Sequence, residues 1–238
     1  TAGAAYADIP VADGYASVNY YVQGVEGAAD TVTVTVSGPG FNPGTDSVDI
    51  VQPGVRIVNL ASAATTLSTS DTFQVRIGIP DALNNSVSGQ AARAGGGGFT
   101  ASVENSNASV GQLQPGDAQV LGVTIAEGYS QSSASDSAFD PTGSGTTTVS
   151  ASIPGFITTT TAAVEITVTS PDITVYAPAA VGAGLQYSGS ANLGASAHGG
   201  VTVRVESSDP STALIAPDSA TAGAAYADIP VADGYASV

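Results

Sequence analysis

The first 18 residues of the chain, TAGAAYADIPVADGYASV, return unchanged as residues 221–238. The two copies are 220 residues apart, counted from Thr1 to Thr221, and identity by chance over such a length is negligible. This repeat predicts one full period of a tandem array followed by the start of the next, in which each period must fold alike. Since the sequence contains no methionine, we expect it to be part of a longer polypeptide. A small duplication inside one modest protein is the alternative.

Apolar and polar residues alternate with period two in several short runs, the pattern of half-buried β-strands. Valine takes every second position in TVTVTV (31–36) and in VTVRVE (201–206), and YASVNYYVQG (15–24) alternates similarly. Valine and threonine dominate these runs, as in antiparallel sheets with one solvated face. Pro-Gly pairs separate the runs, and no segment shows a helical period. The pattern predicts an all-β fold of sandwich type.

A second, weaker repeat divides each period in two. The segment GFTASVENSNAS (98–109) parallels GVTVRVESSDPS (200–211), and residues 147–175 parallel residues 31–57. We therefore predict two homologous domains per 220-residue period, each of roughly 110 residues, a size typical of a single β-sandwich.

The repeat boundaries fall near Pro53 and Pro171. They predict the C-terminal part of a split domain over 1–53 and a complete domain over 54–171. Residues 172–238 are then the N-terminal part of the next domain. In a continuous array, residues that repeat 19–53 complete this part from further along the same chain. The alternative is completion by a neighbouring molecule. In either case we expect the two copies, 1–18 and 221–238, to adopt the same local fold.

Several motifs of the split domain carry a family resemblance. The pair Gly199-Gly200 precedes the strand of Val201 and Val203, the turn Ser207-Ser208-Asp209-Pro210-Ser211 follows, and Pro39-Gly40-Phe41 forms a later turn. These motifs resemble those of bacterial immunoglobulin-like repeats. The resemblance implies tandem immunoglobulin-like β-sandwiches, two per period, of the kind found in extracellular adhesins, surface fibres and surface-layer arrays.

The charge balance limits the possible partners. Asp and Glu number 20 against four arginines, so the formal net charge is −16. Such a surface repels nucleic acid and anionic membranes, and no apolar run approaches the length of about 18 residues that a membrane span needs. The absence of lysine also excludes intramolecular isopeptide cross-links. An acidic, cysteine-free surface of this kind suits a secreted or cell-surface location, although an ordinary solvated acidic surface is the alternative.

Candidate catalytic groups are few. The sole histidine, His198, lies in the turn-like segment SAHGG, and no GxSxG motif is present. A single histidine without cysteine excludes ordinary zinc sites. The glycine run 95–98 lacks the lysine of a phosphate-binding loop and leads into a strand. We therefore predict that the chain is not an enzyme.

Calcium is the one cofactor that the residues suggest. Aspartates in turn-like segments supply the oxygen ligands that calcium prefers, and the candidates are Asp46, Asp49, Asp172 and Asp209. No DxDxDG loop is present, and the acidic residues are spread singly along the chain. Solvated loop carboxylates are the alternative interpretation.

These observations predict a structural segment of a long extracellular fibre, stalk or surface filament, whose partner is the neighbouring repeat or protomer. The alternative is an adhesin, in which the loops of each sandwich bind glycan or a host surface. A ligand platform should show clustered exposed aromatic residues, and aromatic residues make up only 6% of the chain.

Overall fold

The computed structural model describes residues 3–238, and the regular secondary structure in it is almost entirely β-strand. The chain divides into two compact units. Unit 1 holds the described residues up to Ser62 together with Ser70–Asp140 and Thr146–Ile166, and unit 2 holds Ala63–Thr69, Pro141–Gly145 and Thr167–Val238. Within residues 3–238, no helix is long and apolar enough to cross a membrane.

The described residues form 18 strands and one short 3-10 turn, Thr160–Ala162. In chain order the strands are β1 (Asp30–Val36), β2 (Gly44–Ile50), β3 (Gly54–Val58), β4 (Ala63–Thr65), β5 (Asp71–Thr72), β6 (Gln74–Pro80), β7 (Val87–Gly89), β8 (Phe99–Asn105), β9 (Gly111–Gln114), β10 (Val120–Ile125), β11 (Ala138–Pro141), β12 (Gly145–Ser152), β13 (Ile157–Thr158), β14 (Ala163–Thr169), β15 (Thr174–Tyr176), β16 (Ser190–Asn192), β17 (Val201–Glu206) and β18 (Tyr226–Val231).

The strands assemble into sheets of different sizes. The largest has the order β10-β8-β12-β14-β4, a second has the order β13-β3-β6-β7, and a third has the order β5-β11-β9. The strand pairs β1-β2, β15-β16 and β17-β18 each form a two-stranded sheet. Pairing is antiparallel in the long ladders and parallel in β13-β3 and β14-β4. The predicted all-β class is confirmed, and the arrangement is consistent with a β-sandwich.

Alternation along the strands builds the core of unit 1. Every second residue of β8 and β12 is buried, so each strand turns one face inward, as period-two spacing requires. The largest fully buried side chains include Phe73, Phe139 and Leu113. Burying one such side chain contributes about 1.5–3 kcal/mol. These residues therefore account for much of the stability of unit 1.

Close packing in this core depends on one glycine. A Cβ atom at Gly111, the first residue of β9, would lie 2.2 Å from the ring of Phe139 and 2.9 Å from the carbonyl oxygen of Asp140. The backbone of β9 therefore approaches β11 more closely than any side chain would permit. Buried polar groups nearby are paired, since the Asn105 side chain donates to the Gly111 carbonyl at 2.5 Å.

The core of unit 2 is smaller. Leu193, Val203 and Val231 are buried together, with Val201, Val205 and Val238 partly buried against them. On the outer face of the β17–β18 pair, Arg204 donates two hydrogen bonds of 2.8 Å to the carboxylate of Asp228. The guanidinium group also lies 4.3 Å from the ring centroid of Tyr226, a cation–π contact.

The β1–β2 hairpin carries apolar side chains that are partly exposed. Its ladder runs from Asp30 opposite Ile50 to Val36 opposite Gly44. Val32 is 41% exposed and Val36 is 47% exposed, although both lie on the face that alternation marks as apolar. Val34 between them is half-buried, so among the described residues the apolar face of this hairpin is only partly covered.

The identical segments at the two ends of the chain adopt different structures. In the second copy, residues 226–231 form β18 and pair with β17, and Val231 is 6% exposed. In the first copy, residues 6–11 form no strand, and Val11 is 51% exposed. The prediction of one shared local fold is therefore wrong for this chain. The second copy has β17 as its partner strand, whereas the first copy pairs with no strand among the described residues.

The run YASVNYYVQG (15–24) also forms no strand, although its alternation predicts one. Tyr20 is 49% exposed and Val22 is 45% exposed. The alternation therefore marks strand-forming capacity here, without a partner strand to satisfy it.

Candidate functional site

The strand pairings of residues 172–238 repeat those of residues 54–132. In the β8–β10 pair, Phe99 lies opposite Ile125. In the β17–β18 pair, Val201 lies opposite Val231. Phe99 and Val201 are corresponding positions of the sequence repeat, and so are their partners Ile125 and Val231. The register of the two ladders is therefore the same.

A second pair of ladders shares the same correspondence. Arg56 of β3 lies opposite Arg76 of β6, which forms an isolated bridge to Gln131. Likewise, β15 pairs with β16 through Asn192, and Asn192 forms an isolated bridge to Ser237. The bridge residues Gln131 and Ser237 are separated by the same number of residues as Ile125 and Val231. The two regions thus share the pairing of four segments.

Hydrogen bonds in the loops agree with this correspondence. Leu113 and Ala118 exchange two backbone hydrogen bonds of 2.8 and 2.9 Å. Ile215 and Ala224 do the same in unit 2, also at 2.8 and 2.9 Å. The two loops differ in length and sequence, so the shared bonding marks corresponding positions on either side of each loop.

An acidic side chain holds the glycine loop before the strand in both regions. Glu127 accepts a hydrogen bond of 2.5 Å from the amide of Gly97, and the amides of Gly95 and Gly97 lower the pKa of Glu127. Asp233 accepts from the amide of Gly199 at 2.9 Å, and this bond together with that from His198 lowers the pKa of Asp233. Hydrogen bonds to the charged form favour that form, which explains both shifts.

His198 is held by the backbone around it. The amide of Gly200 donates to Nδ1 at 3.1 Å, and Nε2 lies 2.9 Å from the carbonyl oxygen of Tyr235. With Nδ1 accepting, Nε2 carries the hydrogen and donates to that carbonyl. Both ring nitrogens therefore contribute to the turn geometry.

The β1–β2 hairpin corresponds to the last strands of unit 1. Counted back from the shared Pro-Gly-Phe turns, Val34 of β1 matches Val149 of β12, and Val36 matches Ala151. Val149 and Ala151 are buried, whereas Val36 is 47% exposed. The position of Ala151 is thus buried in β12, whereas the corresponding position in the hairpin, Val36, is half exposed.

Unit 2 contains an open apolar recess. The recess has a volume of about 290 Å³, and its lining includes Ile173, Leu193, Val201 and Val203. The matching positions in unit 1 are Val55, Ile77, Phe99 and Ala101, of which Val55 and Ala101 are fully buried. Ile173, by contrast, is 54% exposed. The side chain at this position is therefore buried in unit 1 and exposed beside the recess in unit 2.

The four predicted calcium ligands lie apart in the chain. Asp46 and Asp49 are on β2, three residues apart and so on opposite faces of the strand, and Asp49 accepts a hydrogen bond of 2.5 Å from the hydroxyl of Thr31. Asp172 and Asp209 belong to unit 2. Over residues 3–238, no three His, Cys, Asp or Glu side chains cluster to hold a metal ion.

Asp209 organises its own turn. Its carboxylate accepts hydrogen bonds from the hydroxyls of Ser211 at 2.6 Å and Thr212 at 2.7 Å, and these bonds lower its pKa. In unit 1, Asn107 takes the matching position and accepts from the hydroxyl of Ser109 at 2.7 Å. Since an uncharged amide does the same work, the turn itself does not require a negative charge.

No protein-family model matches the chain, and no curated protein shows significant similarity to it.

Proposed function

We propose that this chain is a structural segment of a long extracellular fibre, stalk or surface filament built of tandem immunoglobulin-like sandwiches, two per period. The observation that supports this most is the shared strand register of residues 54–132 and 172–238. Together with the unchanged 18-residue repeat, it describes a chain that begins the same domain twice.

The physical properties of such an array suit a spacer. Each repeat contributes its own core, and the array is stabilised by the sum of these cores and of neighbour contacts. A formal charge of −16 makes neighbouring periods repel one another, which favours solubility and an extended form. Reach and stiffness are the functions that follow.

The test uses chains with one, two and three consecutive periods. We expect small-angle X-ray scattering to show a maximum dimension that grows by a constant increment with each period. A compact globule would instead show a radius of gyration that rises only as about the 0.38 power of length. The extracellular location is tested separately, since protease treatment of intact source cells should release repeat peptides.

A second candidate function is adhesion, and one observation favours it. All nine tyrosines of the chain are at least 49% exposed. Three of them, Tyr15, Tyr129 and Tyr235, follow a glycine at the same turn of successive repeats and are 74%, 65% and 67% exposed. A periodic row of exposed rings could stack on sugar rings. Glycan-array binding that is lost in Tyr129→Ala, with unchanged unfolding temperature, would support this function.

A further inference from the structure

We propose that Arg56 and Arg76, the arginine pair of unit 1, bind one phosphate group, either free inorganic phosphate or a phosphate monoester on a larger ligand. The two residues lie directly opposite each other on the antiparallel β3–β6 ladder. Both belong to unit 1, and so do the side chains that hold them, so the site does not depend on whether the repeats form a fibre.

The two positive charges of the arginine pair repel each other across the ladder. Side chains at directly opposite positions have Cβ atoms about 4.5–5.5 Å apart, and like charges at such positions are destabilising. Both arginines are also partly buried, so salt screens their charges less than it screens charges on the open surface. A phosphate group bound to both would replace this repulsion with two attractions.

The corresponding ladder of unit 2 forms without these charges. Thr174 of β15 lies opposite Asn192 of β16. Counted along the sequence repeat, Thr174 matches Arg56 and Asn192 matches Arg76. Arg76 and Asn192 also form the corresponding isolated bridges. Since one ladder forms with a neutral pair and the other with two cations, backbone pairing does not explain the arginines.

The arginine pair brings half of the positive charge of the chain to one place. The chain has four arginines and no lysine, against 20 acidic residues. The other two arginines form ion pairs, Arg93 with Glu26 and Arg204 with Asp228. Among the described residues, neither member of the arginine pair forms an ion pair with a carboxylate. The two cations that lie side by side are therefore also the two that carboxylates do not neutralise.

Neutral side chains hold the two guanidinium groups. Arg76 donates from Nε and Nη2 to Oε1 of Gln131, at 2.9 and 2.5 Å. Arg56 donates from Nη1 to the hydroxyl of Ser86 at 2.8 Å. A guanidinium group has five N–H donors, so each arginine keeps donors for a ligand. Because both acceptors are uncharged, they orient the arginines without cancelling their charge.

The charge of the pair favours a phosphate group over other anions. A phosphate monoester carries about −1.5 to −2 charges near pH 7 and three acceptor oxygens, whereas a carboxylate carries a single charge. The planar guanidinium group binds phosphate through two parallel hydrogen bonds. Long polyanions such as nucleic acids also meet the rest of a surface whose formal net charge is −16, and this charge repels them. A single compact phosphate group fits both conditions.

NMR of the arginine side chains tests the site in the unsubstituted chain. The Nε–Hε signals of all four arginines are followed while sodium phosphate, methyl phosphate or sodium acetate is added at constant ionic strength. The signals of Arg56 and Arg76 should move along one saturable curve with either phosphate probe, while those of Arg93 and Arg204 serve as internal controls. Acetate should bind at least tenfold more weakly.

Three outcomes of this titration would overturn the proposal. They are saturation by neither phosphate probe, equal movement of all four signals, and acetate binding as tight as phosphate binding. The two phosphate probes also distinguish the source of the ligand. Weaker binding of methyl phosphate than of inorganic phosphate indicates the free anion, whereas equal or tighter binding indicates a phosphate group carried by a larger ligand.

Two double variants with the same net charge separate the site from a general charge effect. Arg56→Thr/Arg76→Asn carries the residues of the unit 2 ladder, and Arg93→Gln/Arg204→Gln loses two charges elsewhere. Calorimetry of the parent chain should show one phosphate bound per chain. The affinity should fall at least tenfold in the first double variant and less than twofold in the second. Equal losses in the two would contradict a specific site.

The same titration on a chain of two consecutive periods separates this site from the proposed fibre. We expect one phosphate bound per period. If phosphate no longer binds in the longer chain, a neighbouring repeat covers the arginine pair, and the phosphate site fails while the fibre stands. If phosphate binds but the longer chain is compact, the phosphate site stands and the fibre fails.

Discussion

At the residue scale, the same side chain has different roles according to what covers it. Val231 lies in the small core of unit 2, whereas Val11, at the identical position of the other copy, is half exposed. The carboxylates show a similar dependence on context. Glu127 holds a glycine loop through two amides, while Glu104 lies exposed on β8. Burial and hydrogen bonding, rather than residue type, decide which of these side chains stabilise the fold.

The pair of valines provides a matched prediction of stability. Val231→Ala should lower the free energy of unfolding by about 1.5–2.5 kcal/mol, since it removes two buried methyl groups beside Leu193 and Val203. Val11→Ala should change it by less than about 0.5 kcal/mol. Urea unfolding at low protein concentration measures both, and equal losses would contradict the two different environments.

A buried leucine gives the corresponding prediction for unit 1. Leu113 is fully buried, and Leu113→Ala should cost about 2–5 kcal/mol through lost transfer energy and a residual cavity. The control is Leu83→Ala, because Leu83 is 77% exposed and its truncation should be nearly neutral. Chemical denaturation of the two variants beside the parent chain measures the difference.

The hydrogen bonds between the Glu127 carboxylate and the glycine loop predict that the stability of the fold depends on pH. Hydrogen bonds from Gly95 and Gly97 lower the folded pKa of Glu127, so its stabilising effect is complete above the unfolded pKa, near 4.3. The effect is lost as the pH falls through the lowered folded value. We therefore expect Glu127→Gln to melt below the parent at neutral pH, with a gap that narrows below about pH 4. Glu104→Gln is the control, and a Glu127→Gln gap that stays constant down to pH 2 would contradict the mechanism.

At the element scale, a strand forms where a partner edge exists. Residues 226–231 pair with β17, but the identical residues 6–11 pair with no strand among the described residues. The run 15–24 behaves likewise, despite its alternation. The β1–β2 hairpin is intermediate, since it satisfies one edge and leaves the other edge and one face open.

At the scale of the whole molecule, acidic side chains far outnumber basic ones, so neighbouring copies or periods repel one another. The 20 acidic residues face only four arginines, and two of those arginines are paired with carboxylates, as in Arg93 with Glu26 and Arg204 with Asp228. Little positive charge is left to offset repulsion between copies. Ionic conditions should therefore control assembly more strongly than they control the fold of either unit.

The calcium prediction is tested at this scale. If Asp46, Asp49, Asp172 and Asp209 bind calcium, calcium chloride should raise the unfolding temperature or the filament stiffness beyond sodium chloride of equal ionic strength. The reason is that a bound divalent cation neutralises carboxylates locally, whereas sodium ions only screen them. Equal effects of the two salts, unchanged by EDTA, would leave screening as the whole explanation.

Local pattern was sufficient for the strand-forming segments and for the repeats. Valine alternation located β1 and β17. These features depend on side chains a few residues apart, so a sequence reports them directly. The matched turns and strand sequences likewise indicated that part of the chain is used twice.

Tertiary structure alone decided which edges are filled. Pairing of β8 with β12 joins residues about 45 positions apart, and local alternation does not specify such a partner. The contact of an acidic side chain with each glycine loop and the apolar recess of unit 2 likewise depend on residues that are distant in the sequence. Residues 6–11 and 226–231 have the same sequence but adopt two structures, because among the described residues only 226–231 pair with a strand. The local sequence therefore does not determine the local structure at these positions.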